Sequence, residues 1–171
     1  MNSTQPAMAN PPALATTVGS LSFSNPVLGA SGAFGNGVEY RDFLDLDQIG
    51  GFVTKSVTAK PVKGNPPPRV AETPGGMLNA IGLMNEGVDA FCRDILPQLA
   101  SLRCRVIANV AGHAREDYLA VTERLDSESR IDGLELNVSC PNVKAGGMAF
   151  GVDAGPCAAL VSAAAPGAAA A

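Results

Sequence analysis

Cys140 is the residue of this sequence with the clearest chemical potential. It lies in the run Asn137-Val138-Ser139-Cys140-Pro141-Asn142, directly after the apolar run at 133–136, so it belongs to a loop that leaves a strand. A polar loop of this kind can lower the pKa of a thiol and make it reactive. Cys92 and Cys104 lie instead in apolar stretches, where a cysteine is usually a small buried hydrophobe.

Polar residues follow four apolar runs of the chain, each at the point where the run ends. They are Ser31-Gly32, Lys55-Ser56, residues 109–112 beginning with Asn109, and residues 137–142. Any one of these endings is weak evidence, because a strand-ending lysine is more often a snorkelling surface residue and asparagine is a common turn former. Four such endings indicate a site if the runs are strands whose ends meet.

Strands and helices alternate along the sequence in the way that would bring these ends together. Apolar runs typical of strands occur at 25–30, 51–57, 105–110 and 133–137, and helical spacing of apolar residues occurs at 88–102 and 115–125. Pro97 is expected to kink or divide the first helix, and residues 58–78 fit neither period and are predicted to form a long loop. The alternation predicts parallel β/α units, in which the carboxyl ends of the strands share one face.

Bulk composition restricts the class of protein. The 171 residues are 46% hydrophobic and 16% charged, which is ordinary for a globular domain, and the net charge of −4 comes without a basic run. These values argue against binding to nucleic acid or to a membrane surface and favour a small-molecule ligand. Neither a signal peptide nor a membrane span is evident, and the four cysteines have no zinc-site or disulfide pattern, so a cytoplasmic protein with reduced thiols is predicted.

Six motifs occur in order along the chain: Asn25-Pro26, Ala30-Ser31-Gly32, Lys55-Ser56, GNPPPRVAETPGGMLNAIGLMNEG, IANVAG and ELNVSCPN. Together, over about residues 21–153, they resemble class 1 dihydroorotate dehydrogenase, and residues 69–74 and 77–83 resemble its NAD-linked form. The resemblance implies an FMN-dependent (β/α)8 TIM-barrel enzyme that oxidises dihydroorotate to orotate in pyrimidine biosynthesis. It also implies an iron–sulfur FAD electron-transfer subunit as partner, and a homo-oligomer. A dihydropyrimidine dehydrogenase-like flavoprotein is the alternative, although the matching cysteine loop of that family ends in histidine where this chain has Asn142.

The resemblance also implies roles for particular residues. Cys140 would be the base that takes a proton from the substrate. Carboxamides, which carry both donors and acceptors, match the lactam edge of a pyrimidine ring, and a fixed cation can stabilise an anionic reduced flavin. The residues implied to bind substrate are Lys55, Asn79, Ala80, Ile81, Gly82, Leu83, Asn137 and Asn142. Those implied to contact FMN are Ser31, Lys55, Ser56, Asn109 and Asn137, and no metal site is expected.

The length of the chain departs from the family pattern. A barrel of eight β/α units needs about 250 residues, and this sequence supplies about four units. We therefore expect a flexible leader at 1–20, the N-terminal half of an FMN-binding barrel at 21–154, and a truncated alanine-rich tail at 155–171. Two hypotheses follow: the sequence represents part of a full-length oxidoreductase, or it is an inactive truncated remnant of one.

Overall fold

The computed structural model describes residues 14–139 and 150–165 of the chain. Short α-helices and short strands make up the regular structure of these ranges. The strands are β1 (Thr16–Val18), β2 (Leu21–Phe23), β3 (Leu28–Gly29), β4 (Gly51–Val53), β5 (Val70–Thr73), β6 (Gly76–Asn79), β7 (Arg105–Val110) and β8 (Gly133–Leu136). The helices are α1 (Gly87–Ala90), α2 (Leu96–Leu99), α3 (Arg115–Asp126) and α4 (Ala154–Ala164), with 3-10 turns at Val38–Tyr40 and Leu46–Gln48.

A parallel four-stranded sheet with the order β3-β4-β7-β8 forms the centre of the fold. Gly51 of β4 pairs with Leu28 on one side and with Arg105 on the other, and Asn109 of β7 pairs with Glu135 of β8. All four predicted strands are therefore confirmed, and each joins the same sheet. The first is shorter than predicted because Pro26 lacks an N–H group and the Asn25 carboxamide accepts from the backbone of Val27 and Gly50 instead.

Apolar side chains of the helices cover the sheet and form the core. Phe52, Val106 and Val110 of the central strands are fully buried, as are Tyr118 and Val121 of α3. The predicted helix at 88–102 is observed as α1, a π-helical segment Phe91–Ile95 and α2 in direct succession. Pro97 stands in the first turn of α2, where the helix changes from π to α type, and the helical residues continue from 87 to 99 without the predicted break.

Two antiparallel hairpins lie outside the parallel sheet and correct two predictions. Strands β1 and β2 pair from Thr16 to Phe23, so regular structure begins inside the segment 1–20 that was predicted to be a flexible leader. Strands β5 and β6 pair from Val70 to Asn79 across a Pro74-Gly75 turn, inside and just beyond the predicted long loop. Every residue of β1, β5 and β6 is exposed, so these strands have no buried face to produce an alternating pattern.

The helix α4 occupies part of the segment predicted to be an alanine-rich tail. Its amino end is capped by the Asp153 side chain, which accepts from the Gly155 backbone N–H at 2.9 Å. Leu160 is fully buried, and α4 packs against α3. Ordered structure therefore extends at least to Ala164. Across the described ranges, none of the helices is long and apolar enough to cross a membrane.

Candidate functional site

Five polar side chains meet at the carboxyl ends of the parallel strands. We call Ser31, Ser56, Asn109, Glu135 and Asn137 the strand-end cluster. Glu135 Oε1 accepts from Ser31 Oγ at 2.7 Å and from Asn109 Nδ2 at 2.5 Å. Ser56 Oγ donates to Asn109 Oδ1 at 2.5 Å. Four of the residues implied by the resemblance to contact FMN therefore lie in one hydrogen-bonded network, in which Ser31 is joined to Asn109 through Glu135 and Asn137 is joined to Ser56.

Asn109 is the centre of the strand-end cluster. It is 1% exposed, and its backbone N–H donates to the Thr54 hydroxyl at 3.3 Å. The parallel pairing of β7 with β8 sets Asn109 opposite Glu135. Because side chains alternate along a strand, Glu135 and Asn137 point to the same face, so both reach the Asn109 carboxamide.

Asn137 connects the strand-end cluster to the loop that carries Cys140. Its backbone N–H donates to Val110 O at 2.8 Å, and its carbonyl accepts from the Tyr118 hydroxyl at 2.7 Å. Its Nδ2 lies 3.3 Å from Ser56 Oγ, and its Oδ1 accepts from the Ser139 backbone N–H at 3.4 Å. Cys140 and Asn142, the other two candidates on this loop, lie outside the described residues.

Lys55 lies beside the strand-end cluster, where the pairing of β4 is interrupted. Its backbone N–H turns away from the sheet and donates to Gly35 O at 2.6 Å, and pairing resumes at Val57, which bridges to Val110. Such an interruption re-aims the side chains that it carries. Lys55 and Ser56 line a cavity of about 160 Å³ together with Asn85. Within the described ranges, the half-buried Lys55 ammonium has no hydrogen-bonding or ion-pair partner.

The candidate substrate segment 79–83 follows β6 and has an unusual backbone. Asn79 and Ala80 are exposed, whereas Ile81, Gly82 and Leu83 are half-buried. Gly82 has φ 76° and Leu83 has φ 55°, a left-handed conformation that is rare for a residue with a branched side chain. None of these five residues lines the cavity beside Lys55, but Met84 and Asn85, which follow them, do.

Two of the described cysteines, Cys92 and Cys104, differ from the one proposed for chemistry. Burial raises the pKa of the Cys92 thiol to about 11, and burial, followed by the charge of Asp47, raises that of Cys104. Both residues are buried, as predicted from their apolar surroundings. Neither thiol can supply much thiolate near neutral pH.

Glu135 is the member of the strand-end cluster that sequence reasoning missed. It stands in Gly-Leu-Glu-Leu, between two leucines of a half-buried strand. The available signal was its position two residues before Asn137. A charged residue on the same face as a candidate site residue, in an otherwise apolar strand, is expected to have a polar partner.

Comparison with known proteins identifies the family of the chain. The sequence matches the family described as dihydroorotate dehydrogenase over residues 13–165. The chain belongs to the dihydroorotate dehydrogenase family. The family membership predicted from the motifs at 21–153 is thereby confirmed.

Curated relatives of the family agree with the NAD-linked form. The catalytic subunit of dihydroorotate dehydrogenase B (NAD(+)) from Trichlorobacter lovleyi is 51% identical over 152 residues, which cover 89% of this chain and 50% of the relative. The protein of the same description from Thermoanaerobacter sp. is 53% identical over 140 residues, covering 82% and 46%. The chain therefore spans about half the length of the curated relatives it matches.

A solved structure shares the fold. The crystal structure of the Eimeria tenella dihydroorotate dehydrogenase in complex with ferulenol superposes with a TM-score of 0.66 over 90% of this chain and 43% of that one. The identity is 24%, so this likeness concerns the fold.

Proposed function

We propose that this chain is the N-terminal half of the catalytic subunit of an NAD-linked dihydroorotate dehydrogenase, which oxidises dihydroorotate to orotate in pyrimidine biosynthesis. The observation that carries the proposal is the strand-end cluster, formed by family motifs from four separate strand ends. The fold would be the first four units of a (β/α)8 barrel, with β3, β4, β7 and β8 as its first four strands.

The residues present fit FMN as cofactor. The strand-end cluster offers hydroxyl and carboxamide groups, which suit the donors and acceptors of a flavin ring, and Lys55 adds a cation with no partner in the described part of the chain. We propose that Ser31, Lys55, Ser56, Asn109 and Asn137 would hold it. When bound, FMN supplies the acceptor for the hydride removed from dihydroorotate.

The remaining chemistry falls to side chains of this chain. Cys140 would take the proton from the substrate ring carbon next to the one that loses the hydride. The carboxamides of Asn79, Asn137 and Asn142, with the backbone of residues 80–83, would bind the substrate ring. Lys55 would attract the substrate carboxylate, because a cation in a half-buried site, with no partner among the described residues, interacts more strongly with an anion than an exposed one does.

A partner subunit is proposed from the names of the relatives. Both curated relatives are described as catalytic subunits of an enzyme that uses NAD(+). We propose that this chain belongs to such a complex, with an iron–sulfur FAD subunit passing electrons to NAD and with more than one copy of the catalytic subunit.

The test uses a full-length catalytic subunit that carries this chain as its N-terminal half, called the full-length subunit below. We expect it to purify with bound flavin, and we expect dihydroorotate to bleach the visible absorption of that flavin without air. Cys140→Ala should keep the flavin and slow the bleaching by about 10²- to 10⁴-fold, the range that a general base contributes. Cys157→Ala, on helix α4, is the matched control and should leave the rate unchanged.

Two outcomes would count against the proposal. If the unchanged full-length subunit binds flavin but dihydroorotate does not bleach it, the proposed activity is wrong. If Cys140→Ala bleaches as fast as the control, the activity stands and the assignment of the base is wrong.

A further inference from the structure

We propose that Glu135 is a positioning residue, which fixes the orientation of the Asn109 and Asn137 carboxamides in the strand-end cluster. Of the five cluster side chains, an ionised glutamate alone can only accept hydrogen bonds. Serine hydroxyls and carboxamides both donate and accept, so they do not by themselves determine which way the hydrogen bonds run. The inference rests on the proposed function, because that function gives the orientation of the carboxamides its importance.

The first step is the contact between Glu135 and Asn109. Glu135 Oε1 lies 2.5 Å from Asn109 Nδ2 and also accepts from Ser31 Oγ. A flipped Asn109 carboxamide would set its oxygen against this carboxylate oxygen, with no proton between them. Because Asn109 is 1% exposed, no bulk solvent relieves that repulsion. Asn109 Oδ1 is therefore directed away from Glu135, where it accepts from Ser56 Oγ.

The second step carries the orientation to Asn137. Its Nδ2 faces two acceptors, Ser56 Oγ at 3.3 Å and Asn109 Oδ1 at 3.5 Å. A flipped Asn137 would set its oxygen against the oxygen of Asn109. Its Oδ1 consequently faces the other way, toward the Ser139 backbone N–H at 3.4 Å and the Ser139 hydroxyl at 3.5 Å.

The result is a directed chain of hydrogen bonds that begins at Glu135 and ends at the residue before Cys140. Hydrogen bonds in such a chain polarise one another, so removal of its fixed acceptor affects more than one contact. A site that recognises a ring edge depends on presenting its donors and acceptors in the correct order. Glu135 acts on this order through Asn109, without needing contact with substrate or flavin.

An exchange of the two side chains tests the direction of the chain. In the full-length subunit, Asn109→Asp brings two carboxylates together and should lower kcat/KM and the thermal midpoint. Adding Glu135→Gln places an amide donor at position 135 opposite a carboxylate acceptor at position 109, so the negative charge has moved from one position to the other. The second carboxylate oxygen at position 109 can still accept from Ser56. We expect kcat/KM of the double variant to be about tenfold or more higher than that of Asn109→Asp alone. Its thermal midpoint should also return most of the way to that of the unchanged subunit.

Single variants of Glu135 keep the inference testable if Asn109→Asp does not fold. Glu135→Gln retains an oxygen that can accept both hydrogen bonds, but its amide can also turn and donate, so it holds the Asn109 orientation less firmly, whereas Glu135→Leu has no acceptor at all. Glu135→Gln should stay within about threefold of the unchanged kcat and Glu135→Leu should fall about tenfold, with a similar flavin content for both. The control is Glu123→Gln, an exposed carboxylate on α3, which should change nothing.

The outcomes separate this inference from the proposed function. No recovery in the double variant, or equal kcat for Glu135→Gln and Glu135→Leu, would overturn the positioning role. If dihydroorotate fails to reduce the bound flavin even in the unchanged subunit, the proposed function is wrong. The recovery of thermal midpoint and of the visible flavin spectrum in the double variant then still decides whether Glu135 orients Asn109.

Discussion

A thiol reacts as a base or nucleophile only where its thiolate is accessible near the working pH. Cys92 does not meet this condition, because it is buried in the π-helical segment between α1 and α2 and burial raises its pKa to about 11. The nearby Arg124 guanidinium lowers this pKa, but the Arg124 side chain is also paired with Glu128. Cys92 is therefore not a candidate for the base of the proposed site.

The first prediction concerns the reactivity of Cys92. In the folded full-length subunit at pH 8, we expect iodoacetamide to alkylate Cys92 roughly a hundredfold more slowly than in urea. A pKa about two units above the ordinary value lowers the thiolate fraction by about that factor, and burial slows access further. Mass spectrometry of timed digests would measure both rates. Equal rates in the folded and unfolded protein would show that the helix opens readily or that the thiol is not desolvated.

Asp132 holds together the amino ends of the strands, on the face opposite the proposed site. Its carboxylate accepts from the Val106 backbone N–H at 2.8 Å, from Arg105 at 2.6 Å and from Arg130 at 2.8 Å. Burial raises the pKa of Asp132, but these hydrogen bonds and the charge of Arg130 outweigh burial and leave the pKa below its usual range. Arg130 also donates to the Leu99 and Cys104 carbonyls and so connects α2 to the sheet.

The second prediction follows from the sign of this shift. A carboxyl whose pKa is lower in the folded protein stabilises the fold above its unfolded pKa of about 3.9, and this contribution is lost as the pH falls through the folded pKa. Asp132→Asn should therefore lower the free energy of unfolding by about 2 to 3 kcal/mol at pH 7. The difference from the unchanged protein should shrink below pH 4, as measured by urea titration at each pH. If the difference in the free energy of unfolding between Asp132→Asn and the unchanged protein were constant with pH, the prediction would be wrong. The control is Glu123→Gln, because Glu123 is exposed.

Asn85 joins three parts of the segment that links β4 to α1. Its Oδ1 accepts from the Thr58 hydroxyl at 3.0 Å and from the Gly87 backbone N–H at 2.9 Å, and its Nδ2 donates to Leu83 O at 2.8 Å. Its backbone pairs with Val62 in both directions. The left-handed Leu83 costs conformational energy, so contacts of this kind are needed to maintain it.

The third prediction tests whether Asn85 maintains the conformation of segment 79–83. Asn85→Ala in the full-length subunit should raise KM for dihydroorotate by about tenfold, since the segment proposed to bind substrate would lose its fixed conformation. The flavin content should stay near normal, because no residue proposed to hold FMN changes. Steady-state kinetics would measure the split between KM and kcat. Gln98→Ala is the control, because its amide also donates to a backbone carbonyl but lies on the exposed face of α2. An unchanged KM would separate Asn85 from substrate binding.

Burial decided which elements could be predicted from the sequence. The strands β4 and β7 and the helix α3 have buried faces, and their apolar spacing located them. The hairpin β5–β6 has no buried face, and its composition gave no period to detect. The same distinction applies within the site. Asn109 and Asn137 stand at strand ends and were identified, whereas Glu135 lies within a strand, and its contact with Asn109 depends on strand pairing that only the fold reveals.

At the scale of the whole molecule, β8 is the edge of the parallel sheet among the strands described. Beside it lies an apolar groove of about 330 Å³, lined by Leu134 and Leu136 of β8, Leu125 of α3 and Val161 of α4. Val161 is 52% exposed, and the residues of β8 are only half-buried, unlike those of β4. In the barrel that we propose, a fifth strand and its helix would pair with this edge and fill this groove.

The last prediction concerns a polypeptide of these 171 residues alone. It should neither oxidise dihydroorotate nor hold FMN tightly. The described side chains of the site are proposed to contact the flavin and pyrimidine rings, whereas the backbone N–H groups that anchor the FMN phosphate would belong to later β/α units. Hydrogen bonds to the flavin ring at an open, solvated sheet compete with water, so they contribute little to the affinity for FMN. The unpaired edge of β8 and the exposed groove should also produce oligomers. Visible absorption and size-exclusion chromatography with added FMN would measure both effects, with the full-length subunit as control. A monomer with stoichiometric flavin and measurable turnover would show that four strands suffice.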